Sequence, residues 1–187
     1  MRLFAAVLPP KDVVDELATA VGELHRLPGA DGLRWTGWPG WHCTLAFYGE
    51  VDEDAVPGLS ERLARAAHRT PAFPLSLRGG GHFGGRALWT GVAGETCTLR
   101  LLADRAEAAG RKAGVTPADH RHYRPHLTLA RGRSDTAFDA YVGVLDAFAG
   151  REWTVRELCL VRSELPRSGV PGERPRYETV RRWPLGE

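Results

Sequence analysis

The pentapeptide H-C-T-L-A occupies residues 42–46, and H-L-T-L-A occupies residues 126–130. Successive side chains of a β-strand point to opposite faces, so the histidine and threonine of each copy project together while the residues between them face the other way. The apolar residues can then enter a core, and the histidine and threonine can line a surface. The two copies therefore predict two strands, at residues 41–48 and 125–131, around which the rest of the fold is arranged.

The elements around the two copies recur at a constant offset of 84 residues. Apolar spacing predicts strand, helix, strand, helix, strand twice in succession. The predicted strands are residues 2–8, 41–48, 73–77, 86–92, 125–131, 153–161 and 177–183, and the predicted helices are 11–27, 52–68, 96–113 and 134–148. We expect glycines 79–81 and 84–85 to form a turn region. The pattern predicts one bilobal domain over residues 1–187, with pseudo-repeats at about 1–83 and 84–187 related by a pseudo-two-fold axis.

The composition constrains the function only loosely. The 187 residues are 43% hydrophobic and 26% charged, and a net charge of +2 points to no particular partner. The three cysteines, Cys43, Cys97 and Cys159, are widely spaced, which argues against a disulfide framework and favours a reducing cytoplasm. The first apolar run is too short for a signal peptide, and no stretch is long enough for a membrane span. We therefore expect a cytoplasmic protein without a membrane partner.

Two imidazoles and two hydroxyls converge on one cleft if the two predicted lobes face each other. Histidine titrates near neutral pH, so one neutral imidazole can take a proton from water while one imidazolium gives a proton to a leaving oxygen. The hydroxyls of Thr44 and Thr128 can donate hydrogen bonds to phosphate oxygens. This set suits cleavage of a phosphodiester without a metal or cofactor. The residues alone do not decide whether His42 or His126 is the acid.

Other kinds of site fit the sequence less well. A metal site could draw on His120, His122 and His126, with Asp119 nearby, but zinc usually takes a fuller set of Cys, His or Asp ligands. No G-x-S-x-G occurs, and no Gly-Lys-Ser/Thr follows the glycines at 79–81, so neither a serine-hydrolase elbow nor a P-loop is present.

Several residues near the second motif are candidates for substrate binding. Arg131 and Arg124 flank it and could contribute positive charge. Strict alternation places Arg131 on the face opposite His126, so it reaches the cleft only if the strand twists or ends there. Tyr123 could stack on a base, whereas core packing is the favoured role of Trp41. Other side chains could also contact RNA phosphates, namely those of Arg121, His122 and the arginines of loop 167–176.

At these residues the chain resembles the 2H phosphoesterase superfamily, and within it the RNA 2′,3′-cyclic phosphodiesterases, also called 2′-5′ RNA ligases. Residues 41–50, W-H-C-T-L-A-F-Y-G-E, resemble the segment H-L-T-L-x-F-L-G-E of that family, and residues 123–131, Y-R-P-H-L-T-L-A-R, resemble its F-R-P-H-L-T-L-A-R. The opening R-L-F-A-A at 2–6 and R-S-E-L at 162–165 also fit. The departures at Trp41, Cys43 and Tyr48 do not touch the His/Thr face.

The resemblance implies an α+β bilobal fold with two antiparallel sheets facing a central cleft and helices on the outside. It implies metal-independent hydrolysis of a terminal RNA 2′,3′-cyclic phosphate to a 2′-phosphomonoester, with a reversible 2′-5′ joining activity in some members. It also implies that His42 is the proton donor and His126 the proton acceptor. We expect a monomer acting on RNA ends, with tRNA fragments among the candidate substrates. The alternatives are a phosphodiesterase for small cyclic nucleotides or ADP-ribose cyclic phosphate, and an RNA-end-binding module without turnover.

Overall fold

The computed structural model describes residues 1–115 and 122–186. Of the sequence predictions, those that concern Asp119, His120 and Arg121 lie outside the described residues.

The described strands and helices follow one another in an order close to the predicted one. The strands are β1 (Arg2–Val7), β2 (Arg34–Trp35), β3 (Cys43–Glu50), β4 (Phe73–Phe83), β5 (Ala87–Gly94), β6 (His126–Arg131), β7 (Trp153–Val155), β8 (Glu157–Glu164) and β9 (Arg176–Pro184). The α-helices are α1 (Lys11–Leu24), α2 (Val56–His68), α3 (Thr96–Lys112) and α4 (Asp139–Leu145). Short 3₁₀ turns at Ala30–Gly32 and Trp38–Gly40 flank β2.

The strands form two antiparallel sheets. The four-stranded sheet has the order β3-β1-β8-β9, and the five-stranded sheet has the order β2-β6-β5-β4-β7. Each motif strand, β3 or β6, lies in a different sheet. The expected α+β fold with two antiparallel sheets is confirmed. Each sheet also takes strands from both halves of the sequence, and the duplication itself stays a prediction.

Alternation along β1 separates the two faces of the four-stranded sheet. Leu3, Ala5 and Val7 belong to the main core, which contains buried residues of all four helices. Phe4 and Ala6 belong to a smaller apolar cluster with Cys159 and Val161 of β8, against which Tyr177 and other half-buried apolar side chains pack. The sheet therefore has one face in the main core and a second apolar face available to line a cleft.

The predicted turn at glycines 79–81 is wrong, because these residues lie inside β4. At Gly80 and Gly81 the neighbouring side chains leave no room for a Cβ atom. A Cβ on Gly80 would lie 2.6 Å from Cβ of Leu145 on α4, and a Cβ on Gly81 would overlap the ring of Trp89 on β5. The hairpin turn instead follows β4, where Gly84 and Gly85 have positive φ values of 53° and 76°.

Two other predicted elements are shorter or divided. The predicted helix 134–148 is shortened to α4, because Thr136 closes a turn with Arg133 through its backbone N–H and its Oγ1, at 2.9 Å each. The predicted strand 153–161 is divided at Arg156, whose carbonyl accepts a hydrogen bond from the N–H of Leu185. Consequently β7 belongs to the five-stranded sheet and β8 to the four-stranded one.

Candidate active site

Each motif strand contains a β-bulge at the same place in its motif. Ala5 and Ala6 of β1 face Ala46 and Thr44, so Leu45 is an extra residue on β3. On β6 the extra residue is Leu129, because Leu88 and Trp89 face Ala130 and Thr128. In both strands the leucine and the following alanine are buried side by side, which breaks the strict alternation.

The bulge decides where Arg131 lies. His126, Thr128 and Arg131 are the more exposed positions of β6, whereas Leu127, Leu129 and Ala130 are buried. One extra residue shifts the alternation by one, so Arg131 projects from the same face as His126 and Thr128. The irregularity that Arg131 needed to reach the cleft is therefore present.

His42 lies immediately before β3 and is surrounded by aromatic rings. Its imidazole centroid is 4.6 Å from the ring of Phe4 on β1 and 5.3 Å from the ring of Tyr177 on β9, which meets it edge-on. Both neighbours belong to the apolar face of the four-stranded sheet. The imidazole of His42 therefore packs against the aromatic rings of this face.

His126 has a matching environment on the five-stranded sheet. Phe83 on β4 meets its ring edge-on at 4.9 Å, and Trp89 on β5 lies at 6.0 Å. Nδ1 of His126 is 2.6 Å from the carbonyl oxygen of Arg124. Because a carbonyl oxygen only accepts, Nδ1 carries the proton and Nε2 of the neutral ring holds the lone pair.

The two histidines belong to one electrostatic site. Burial lowers the pKa of His42 to about 4, assisted by the positive charges of His126 and Arg131. Burial also lowers the pKa of His126; the hydrogen bond to the Arg124 carbonyl opposes this, and the charges of Arg131 and Arg124 add to it. Since Arg131 acts on both imidazoles and His126 acts on His42, the two sheets bring the three side chains together.

The two threonines occupy matching places beside the histidines. Thr44 is half-buried opposite Ala6 on β1, and Thr128 is half-buried opposite Trp89 on β5. Each lies two residues after its histidine and before the bulge, so it shares the histidine's face. Each half of the cleft therefore presents one imidazole and one hydroxyl.

The other sequence candidates have different placements. Trp41 is buried in the core, as expected, and its Nε1 donates to the carbonyl of Thr36 at 3.0 Å. Cys43 is fully buried, and its burial raises the pKa of the thiol to about 12. Tyr123 packs against the main core with its hydroxyl buried, a placement that does not favour the predicted stacking on a base. Arg124 contacts the site through its backbone carbonyl, and its side chain is exposed.

Sequence reasoning missed the aromatic walls and one arginine. Phe4, Tyr177, Phe83 and Trp89 surround the histidines, but they come from strands whose order in the sheets cannot be read from the chain. Arg34 on β2 lies directly opposite Arg131 on β6. The one available signal was alternation in residues 2–8, which places Phe4 on the face away from Leu3 and Ala5.

Within residues 1–115 and 122–186, no three His, Cys, Asp or Glu side chains form a group that could hold a metal ion. In the same part of the chain, no helix combines the length and apolar character of a membrane span.

Comparison with known proteins relates this geometry to a family. Residues 13–167 match the profile of the 2'-5' RNA ligase superfamily. An RNA 2',3'-cyclic phosphodiesterase of Aeropyrum pernix is 33% identical over 86% of this chain and 93% of its own length. The protein of that name from Thermus thermophilus is 34% identical over 90% of this chain and 85% of its own length.

Solved structures with a similar fold point to the same family. E. coli LigT in its apo form has a TM-score of 0.77 at 25% identity, covering 100% of this chain and 98% of that one. A protein from Thermus thermophilus has a TM-score of 0.76 at 30% identity, covering 100% of both chains. The fold, the repeated motif and the extent of the match lead to one assignment: the chain belongs to the 2'-5' RNA ligase superfamily.

Proposed function

We propose that this protein hydrolyses the 2′,3′-cyclic phosphate at the end of an RNA to a 2′-phosphomonoester, with His126 and His42 as base and acid. The observation that carries the proposal is the placement of two half-buried imidazoles at the starts of the two motif strands, each packed against aromatic rings, with Arg131 lowering the pKa of both. The names of the relatives, RNA 2',3'-cyclic phosphodiesterase, supply the substrate class.

His126 suits the role of base. Its Nδ1–H is held by the Arg124 carbonyl, so Nε2 of the neutral ring is free to take a proton from water. The water oxygen forms a bond to phosphorus while the bond from phosphorus to O3′ breaks. Because its lowered pKa keeps His126 neutral near pH 7, the base is ready without prior loss of a proton.

His42 then gives its proton to the departing O3′, so the terminal ribose keeps the phosphate on O2′. The pKa of His42 is about 4, so the acid must gain a proton together with the substrate. A phosphodiester anion beside the ring favours the imidazolium, since an opposite charge nearby stabilises the charged form. After the reaction His126 holds a proton and His42 has lost one, and exchange with solvent restores both.

The remaining groups of the cleft act on the non-bridging phosphate oxygens. Thr44 and Thr128 donate hydrogen bonds, and Arg131 supplies the positive charge as negative charge rearranges in the transition state. The aromatic walls make the surroundings of the imidazoles less polar, which strengthens these interactions.

The same geometry supports the joining reaction. When an RNA 5′-hydroxyl takes the place of water, attack on the cyclic phosphate forms a 2′-5′ phosphodiester through the same two proton transfers. The reducing cytoplasm predicted from the cysteine count is the proposed location, and the monomeric state and tRNA fragments stay predictions.

The product identifies the reaction. A purified sample with excess EDTA is mixed with an RNA oligomer that ends in a 2′,3′-cyclic phosphate, and the phosphorus NMR spectrum is followed. We expect the cyclic phosphate signal to be replaced by that of a 2′-phosphomonoester. A 3′-phosphomonoester, or an unchanged cyclic phosphate with bound RNA, would contradict the proposal, and the second result would favour an RNA-end-binding module.

A further inference from the structure

A cavity opens between the segment around β2 and the start of β9, and its lining includes Arg131 and Tyr177 from the surroundings of the two histidines. Its volume is about 410 Å³, within the range of small-ligand sites. Its wall includes three arginines, Arg34, Arg131 and Arg174, together with Pro39 and Tyr177. Glu173 also lines it and is hydrogen-bonded to the hydroxyl of Ser168. The cavity is therefore strongly positive.

Two of these arginines are placed as direct neighbours. Arg34 of β2 pairs with Arg131 of β6 across the sheet, so both side chains leave from the same face. Like charges directly opposite each other destabilise a sheet. In the described part of the chain no carboxylate forms an ion pair with Arg34, Arg131 or Arg174. The positive charge is left for a ligand to neutralise.

Two glycines that line this cavity make close contacts with the residues around it. A Cβ on Gly37 would lie 2.9 Å from Nη1 of Arg174, and a Cβ on Gly40 would lie 2.9 Å from the ring of Tyr177. These contacts place the segment after β2 next to the side chains of Arg174 and Tyr177.

The cavity shares two residues, Arg131 and Tyr177, with the surroundings of the two histidines. Arg131 lines it and also acts on both histidines, and Tyr177 lines it while its ring contacts His42. A ligand whose cyclic phosphate lies between the histidines can therefore extend past Arg131 toward Arg34 and Arg174.

We propose that this cavity binds a second phosphate group of the substrate, with Arg34 and Arg174 as its specific ligands. This inference rests on the proposed function and adds a substrate class to it: molecules that carry another phosphate beyond the cyclic one. Arginine forks match phosphate oxygens, and a phosphate there would neutralise the unpaired charges. Two substrates have this chemistry, namely an RNA, through the phosphodiester before its last nucleotide, and an ADP-ribose cyclic phosphate, through its diphosphate.

The test compares three substrates with each variant. A mononucleotide 2′,3′-cyclic phosphate has one phosphate, whereas a dinucleotide ending in a cyclic phosphate and ADP-ribose 1″,2″-cyclic phosphate carry more. We expect the wild type to show a higher kcat/KM for a substrate with a second phosphate. Arg34→Gln and Arg174→Gln should each reduce that preference about tenfold, the usual effect of losing one charge-assisted contact. The larger substrate whose kcat/KM falls more in the two variants identifies the source of the second phosphate.

Two controls keep the outcome interpretable. Arg26→Gln removes an exposed arginine paired with Glu23 outside the cavity and should leave every ratio unchanged.

Arg34→Gln should also raise the melting temperature slightly, because it relieves the repulsion from Arg131, whereas a merely structural Arg34 would lower it. Calorimetric binding of the corresponding mono- and dinucleotides that end in a 2′-phosphate, the proposed product, gives the affinity ratio without turnover. Unchanged ratios in both cavity variants would overturn the inference, while inactivity of the wild type would count only against the proposed function.

Discussion

Replacing His42 with glutamine should make the protein less sensitive to acid. The folded protein lowers the pKa of His42 from its ordinary value of 6.5 to about 4, mainly by burial. Between these values the unfolded chain holds a proton that the folded chain does not. By linkage, the free energy of unfolding falls as the pH drops through this window.

The magnitude follows from the two pKa values. Near pH 5 the unfolded His42 is almost fully protonated and the folded one is mostly neutral, which costs about 2 kcal/mol of stability relative to pH 7. The loss approaches about 3 kcal/mol near pH 4 and grows little below it. For a domain of this size, about 2 kcal/mol is a shift of roughly 4–8 °C in melting temperature.

Urea denaturation near pH 7 and near pH 5 measures the effect. Carboxylates also respond to acid, so the informative quantity is the difference between wild type and His42→Gln in the stability lost between the two pH values. The variant should lose about 2 kcal/mol less than the wild type. Thr44→Val is the matched control, because it alters the same cleft without removing a titrating group, and it should lose as much as the wild type. Equal losses in wild type and His42→Gln would refute the reasoning.

Two further outcomes follow from the packing and the charges. Gly81→Ala should destabilise the protein by about 1–3 kcal/mol in denaturant titrations, because its Cβ would overlap the ring of Trp89; Gly143→Ala, with nothing within 4 Å of the new Cβ, is the control, and equal midpoints for the two variants would contradict this packing. Binding of a nucleoside 2′-phosphate should take up about one proton near pH 6, since the anion raises the lowered pKa of His42; calorimetry in two buffers of different ionisation enthalpy measures the uptake, and buffer-independent heats would contradict it.

The face that the histidine and threonine of each motif share could be predicted from the sequence, since it depends only on the two-residue period of a strand. The same rule gave the wrong face for Arg131, because the bulge at Leu129 shifts the alternation. Each threonine is followed by two adjacent apolar residues, Leu-Ala, at 45–46 and at 129–130. This pair is the sequence signal of the bulge.

The rest of the site depends on contacts between strands far apart in the chain. Phe4 and Tyr177 meet at His42 because β1 and β9 lie on either side of β8, an order that no local pattern encodes. The run of glycines at 79–81 is typical of a turn. The side chains that leave no room for a Cβ at Gly80 and Gly81, those of Leu145 and Trp89, come from other elements and cannot be read from this run. The sequence made Tyr123 a candidate for stacking on a base, but its hydroxyl is buried and its side chain packs against the main core.

The rate of opening of an RNA 2′,3′-cyclic phosphate by His42→Ala and His126→Ala tests the central claim most directly. Both variants should remain folded by circular dichroism and should lose at least about 10²-fold in kcat, the low end of what a general acid or base contributes. Wild-type activity in either folded variant would contradict the assignment of the two histidines as the acid and base of this reaction.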